Sequence, residues 1–177
     1  MFGRKQAPRN EASTRIPFWK MNAAQRLTAS AERVLKLRDF FVSKGAEVSF
    51  ESSTLIVKTQ ANNYFVDVAD DEPRAIIMQV IYEVLSGDLA TASWACYNAS
   101  ALSRMAKAKA IPEKDGYRLH FSAEVWADDL SAFTDVASLY MAAIEDLRCC
   151  YMAMMTQGID EIDLSWSTRP LPPPSKK

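Results

Sequence analysis

Residues 74–84 read RAIIMQVIYEV, and whether they form a helix or a strand decides the architecture. Ile76, Ile77, Val80, Ile81 and Val84 recur at spacings that suit an amphipathic helix. Five of the eleven residues are nevertheless β-branched and Tyr82 is aromatic, which favours a strand. The residues just upstream tip the balance. AEVSFES (46–52), TLIVKTQ (54–60) and NYFVDVAD (63–70) are short, β-rich runs separated by the turn-prone SS and ANN. In the third run Tyr64, Val66 and Val68 share one face, while Phe65 and Asp67 share the other. DDEP (70–73) makes a further turn, and Pro73 bars a helix from entering before it. Residues 74–84 are therefore expected to form a fourth, long strand.

A helix precedes these strands. Asn22 with Gln25 three residues on is a variant of the capping box, and Leu27, Ala31, Val34, Leu37 and Phe41 form one apolar stripe. Gly45 is its expected left-handed stop. After SGD, Asp88 is placed to cap an alanine-rich helix over about residues 89–104. AKAKAIPE-KDG-YRLHFSAEVWA (106–127) reads as a β-hairpin. In its second arm Leu119, Phe121, Ala123 and Val125 alternate with Arg118, His120, Ser122 and Glu124, so one face is expected buried and the other wet. Asp128 is expected to cap a long helix to about Thr156, with the stripe Leu130, Phe133, Val136, Tyr140, Ile144, Leu147 and Tyr151. IDEIDLSWS (159–167) reads as one more strand or as an extended segment packed on the body. The fold class is α+β: an antiparallel sheet with helices on one face, in the order α-β-β-β(-β)-α-β-β-α.

At 177 residues, the chain suits one domain with loose ends. Residues 1–21 are expected to be a flexible basic arm, with Arg4, Lys5, Arg9, Arg15 and Lys20 against Glu11. Residues 22–166 are expected to be the domain. Residues 167–177, which include TRPLPPPSKK, are expected to be a disordered proline-rich tail. A net charge of −1 gives no basic excess, so nucleic acid is an unlikely partner, reached at most weakly through the arm. The start, MFGRKQAPRN, lacks the apolar core of a secretory signal, and AIIMQVIYEVL is too short to cross a bilayer, so no membrane association is expected. Three cysteines are a poor disulfide framework, which suits a reducing, cytoplasmic setting.

YFVDVADDEPRAIIMQVIYEV (64–84), WACYNASALSRMAKAKA (94–110) with Asn98, DGYRLHFSAEVW (115–126) and DLSAFTDVASLYMAAIEDL (129–147) together resemble the YbjN-like proteins, labelled bacterial sensory-transduction regulators. The resemblance covers roughly residues 24–156. It implies the type III secretion chaperone-like fold and a non-enzymatic adaptor or chaperone-like module, often a homodimer. It transfers no catalytic residue.

The residues themselves offer little chemistry. His120 is the only histidine, so a multi-histidine metal cluster cannot form, and nothing in the sequence pairs it with a nucleophile. There is no GxGxxG or Walker loop. Adjacent Cys149 and Cys150 point about 100° apart on a helix and do not converge as i, i+4 positions do. Cys96 lies on an apolar helix side, where thiols pack as small hydrophobes. No catalytic residue, metal or cofactor is expected.

What remains is surplus apolar surface. In LRCCYMAMM (147–155) the last helix turns apolar nearly all round, so it needs cover on every side. The chain's own Ile159, Ile162, Leu164 and Trp166 could provide it, or a partner could. Methionine suits surfaces that accept varied partners. On the second helix Trp94, Tyr97, Ala101 and Met105 form a second apolar line. Trp94, Tyr97, Met105, Met152 and Met155 are thus the candidate partner-binding residues, for a homodimer or another protein. The alternative is a small-molecule pocket or enzyme with Tyr64, Trp126 and His120 at its mouth.

Overall fold

In the computed structural model, which describes residues 16–60 and 62–156, RAIIMQVIYEV is a strand. Its ten residues Ala75–Val84 pair antiparallel with residues 117–126 on one side, and residues 76–79 pair antiparallel with residues 65–68 on the other, with Val66 opposite Met78 and Met78 opposite Ala123. Helical spacing lost to β-branching because a full-length backbone ladder on one side and a shorter one on the other satisfy the strand's N–H and C=O groups. The elements are α1 (Ala23–Ser43), β1 (Glu47–Glu51), β2 (Thr54–Lys58), β3 (Asn63–Val68), β4 (Ala75–Val84), α2 (Leu89–Leu102), β5 (Lys107–Glu113), β6 (Gly116–Trp126) and α3 (Leu130–Thr156), after a 3-10 turn at Phe18–Lys20. The six strands form one antiparallel sheet in the order β1-β2-β3-β4-β6-β5.

One sheet face carries the core. Leu55, Val57, Tyr64, Val66, Ile76, Met78, Val80, Leu119, Phe121, Ala123 and Val125 are buried there in register. α1 covers β1–β3, α3 covers β4–β6, and α2 lies along β5 and against α3. The Phe121 and Tyr151 rings meet edge to face at 5.4 Å, joining β6 to α3.

Asn22 and Gln25 form the full reciprocal capping box at the start of α1. The apolar stripe of α1 differs from the expected one at its N-terminal end, where Leu27 and Ala31 are exposed. The buried residues are Ser30, Arg33, Val34, Leu37 and Phe41. Two polar anchors set this rotation. The Ser30 hydroxyl donates to the Ala69 carbonyl at 2.7 Å, and the Arg33 guanidinium donates to the carbonyls of Ala127 (2.6 Å) and Asp128 (3.1 Å). Gly45, at φ +80°, follows α1 as expected.

Asp88 accepts from the Ala90 N–H and caps α2, which ends at Leu102 rather than near 104, leaving Met105 in the turn to β5. The cap of α3 is Asp129 and not Asp128: the Asp129 carboxylate accepts from the Ser131 N–H at 3.1 Å. Asp128 sits one residue too early, and its carbonyl is engaged by Arg33. The α3 stripe is largely as expected, with Ala137 and Met154 buried in addition and Val136 and Tyr140 only half-buried. The expected strand at 159–167, the proline-rich tail and residues 1–15 of the arm lie outside the described residues. Residues 16–21 are described and run into the 3-10 turn, where Phe18 lies under the Arg33 guanidinium at 5.7 Å.

Candidate functional site

The candidate surface is built by α2 and the C-terminal end of α3. Ala92, Ala95, Cys96 and Ala99 make α2 thin on its inner side, so it packs closely against both β5 and α3. The Ser100 hydroxyl, near the end of α2, bonds to the Ala108 N–H (2.7 Å) and to its carbonyl (3.2 Å). The helix thereby occupies backbone groups at the outer edge of β5 that another strand could have paired with.

This double packing widens the buried arc of α2. Trp94 is only 8% exposed, part of the chain's own core and not of the outer surface. The buried Asn98 amide donates to the Trp94 carbonyl at 2.9 Å within the same arc. Tyr97 is left on the narrow solvent side, 55% exposed. On α3, Tyr151 and Met154 turn inward, Cys150 and Met155 are half-buried, and Cys149 and Met152 face out, Met152 at 48% exposure. Among the described residues, the end of α3 is thus covered on two sides, by its own sheet and by α2. Of the five candidate residues, Tyr97, Met152 and Met155 stand on adjacent helices, Met105 is half-buried past the end of α2, and Trp94 is internal.

The sulfur atoms are set for packing. Burial pushes the Cys96 thiol up to about 12, and burial first, then Asp146 and Cys149, raises that of Cys150. A thiol held protonated is a poor nucleophile and ligand. Among the described residues no three His, Cys, Asp or Glu side chains are arranged to hold a metal, and no helix is long and apolar enough to cross a membrane.

The structure does not bring Tyr64, His120 and Trp126 together at a mouth. Tyr64 faces the helices and donates to Glu145 on α3 at 2.9 Å, while His120 and Trp126 lie on the opposite sheet face. Burial, with Lys109 and Arg118 nearby, holds the His120 imidazole below its usual value; its Nδ1 bonds to the Gln79 amide oxygen at 3.2 Å. A groove of about 810 Å³ lies elsewhere, between residues 16–21 and α1, lined by Phe18, Trp19, Met21, Glu32, Arg33 and Asp128. The sequence reading did not foresee it, since its floor depends on how the segment before Asn22 folds back on α1.

No protein-family model matches the chain, and no curated protein matches it. Among solved structures it is similar to the crystal structure of "YbjN, a putative transcription regulator from E. coli", with a TM-score of 0.57 and 15% identity over 70% of this chain and 93% of that one. At that identity the likeness is one of fold, and the chain is an α+β protein with a YbjN-like fold.

Proposed function

We propose that the protein is a non-enzymatic, cytoplasmic protein-binding module, chaperone-like or a regulatory adaptor, that holds a segment of a partner against α2 and the end of α3. The observation that carries this reading is the pair Tyr97 and Met152, 55% and 48% exposed on adjacent helices. An exposed aromatic side chain and adaptable methionines on neighbouring helices are the residue types that partner-binding surfaces use. That YbjN is described as a "putative transcription regulator" agrees with a regulatory role. Photocrosslinking from a benzoylphenylalanine placed at position 97 or 152 tests it in cells. A discrete adduct from position 97 that disappears with Met152→Glu, and is not formed from position 32 on α1, supports the reading. Labelling no stronger from 97 and 152 than from 32 refutes it.

The groove favours a second reading, a small-molecule-binding protein. Arg33 is 7% exposed and lines it, and the Arg33 Nε is buried without a hydrogen-bond partner. A small amphiphilic carboxylate would meet Trp19 and Phe18 with its apolar part and Arg33 with its charge. Thermal shifts with a carboxylate library, lost in Trp19→Ala, would support this reading, and no shift with any member would leave the first standing alone.

A further inference from the structure

β6 lies between β4 and β5 in the sheet, and His120 stands in the middle of it, level with Ile81 of β4 and Lys109 of β5. Alternation with buried Leu119 and Phe121 puts His120 on the face away from the helices. Its ring is nevertheless not free in solvent. Nδ1 lies 3.2 Å from the Gln79 amide oxygen, a bond that spans β6 and β4, and Nε2 is buried without a hydrogen-bond partner. Half-buried Ile81 lies level with the ring and half-buried Ile111 diagonal to it. An amide oxygen only accepts, so the contact with Gln79 puts a proton on Nδ1. The neutral imidazole then carries a bare lone pair at Nε2. A second proton turns that atom into a buried, charged donor with nothing to receive it, which is the costlier condition.

The charges around the ring oppose that proton as well. Lys109 faces it from β5, and Arg118 stands two residues away on the same face of β6. Lys107 lies one step further along β5, its ammonium on the Ser100 and Ser103 carbonyls. The carboxylates on the three strands are engaged or further off. Glu113 on β5 pairs with Arg118 at 2.8 Å, Glu83 on β4 stands level with Arg118, and Glu124 on β6 accepts from the Trp126 indole at 2.6 Å. Burial first, then Lys109 and Arg118, hold the imidazole below its usual value, and Glu113 offsets only part of this.

We infer that His120 is an acid-sensitive pin at the junction of β4, β6 and β5: as a neutral ring it joins β6 to β4 through Gln79, and on taking up a proton it loosens that half of the sheet. Its contribution is fully present above the ordinary histidine value near 6.5 and is lost as pH falls below it, because the unfolded chain takes up the proton more readily than the folded one. The loosened strands include the one that holds α2, since the Ser100 hydroxyl bonds to the Ala108 backbone on β5. The pin lies in the sheet, apart from Tyr97 and Met152, so it stands or falls independently of the proposed function.

His120 is the only histidine, so in the full chain its imidazole gives a single set of nuclear magnetic resonance signals to titrate. The ring is expected to titrate below 6.5 and, at about pH 7.5, to carry its proton on Nδ1 in long-range proton–nitrogen correlation spectra. Urea denaturation at about pH 7.5 and about pH 5 reads the consequence. Over this interval the folding equilibrium of the wild type is expected to fall about fivefold or more beyond that of His120→Gln, a comparison in which the carboxylates of both chains titrate alike. Lys109→Gln, at an exposed position, is expected to move the imidazole titration upward and to shrink the wild-type loss. A ring that titrates at 6.5 or above overturns the inference, as does a proton found on Nε2 at about pH 7.5 or an equal loss in wild type and His120→Gln. Should His120→Gln fail to fold, the titration, the tautomer and Lys109→Gln decide it.

Discussion

Glu145 ties α3 to the sheet through Tyr64 and Asn62, and Arg148 on its own helix is its third donor. Its carboxylate accepts from the Tyr64 hydroxyl (2.9 Å), the Asn62 amide (2.5 Å) and the Arg148 guanidinium (2.9 Å), and the Asn62 oxygen in turn accepts from Tyr82 (2.5 Å). Removing the acceptor strands donors in a half-buried site. Glu145→Ala is expected to cost about 2 kcal/mol, read from urea denaturation. Burial, then the Glu145 hydrogen bond and charge, push the Tyr64 hydroxyl well above its usual value; burial also raises those of Tyr82 and Tyr151. The folded state thus favours the neutral phenols. Their contribution is fully present below the ordinary tyrosine value near 10 and is lost as pH climbs above it. Stability should therefore fall from about pH 10 upward, and Tyr64→Phe should flatten that fall in denaturation measured from pH 8 to 11. The thiols allow a third check at this scale. A maleimide should label exposed Cys149 in the native protein while buried Cys96 resists until denaturation.

At the scale of elements, two glycines show how the strands and α1 end, for different reasons. Gly116 pairs with Glu113 at the head of the β5–β6 hairpin, and a Cβ there would stand 2.0 Å from the Val84 carbonyl oxygen. The close approach of β6 to the end of β4 requires the missing side chain. Gly116→Ala is expected to cost about 2–4 kcal/mol in a chemical melt. Gly45 has open space around it and needs only its φ of +80°, so Gly45→Ala should cost about 1–2 kcal/mol. A larger loss at Gly45 than at Gly116 would contradict the packing described for the hairpin. The two-residue turn is Lys114-Asp115, so the Asp-Gly signal located the hairpin and missed its register by one residue. Turn chemistry marks where a chain reverses, while neighbouring strands decide which residues face each other.

For the whole molecule, the helices close one side of the sheet, and among the described residues the outer side of α2 with the end of α3 and the far face of the sheet stay open. The Met-rich end of α3 pointed to the first in the sequence, and Tyr97 and Met152 are exposed there. Tyr97→Ala, at a position carrying no core contact, should change stability by no more than about 0.5 kcal/mol while weakening partner capture, a pairing that separates surface from core. The second was written in RAIIMQVIYEV and passed unread. The same five β-branched residues that made helix and strand hard to tell apart also lie on both faces of the strand.

From the residues alone came the element order, the strand at 75–84, the caps at Asn22 and Asp88 and the inward faces of β3 and β6, because each follows from period, β-branching or capping within a few neighbours. Only the tertiary structure decided that Leu27 faces water, that Trp94 is internal, that Tyr64 parts company with His120 and that Arg33 is buried. Each of these depends on partners 30 to 95 positions away along the chain, such as Ala69 for Ser30 and Asp128 for Arg33. Local periodicity says which side of an element is apolar. Which polar groups may join that side is settled by carbonyls that long-range packing brings within reach.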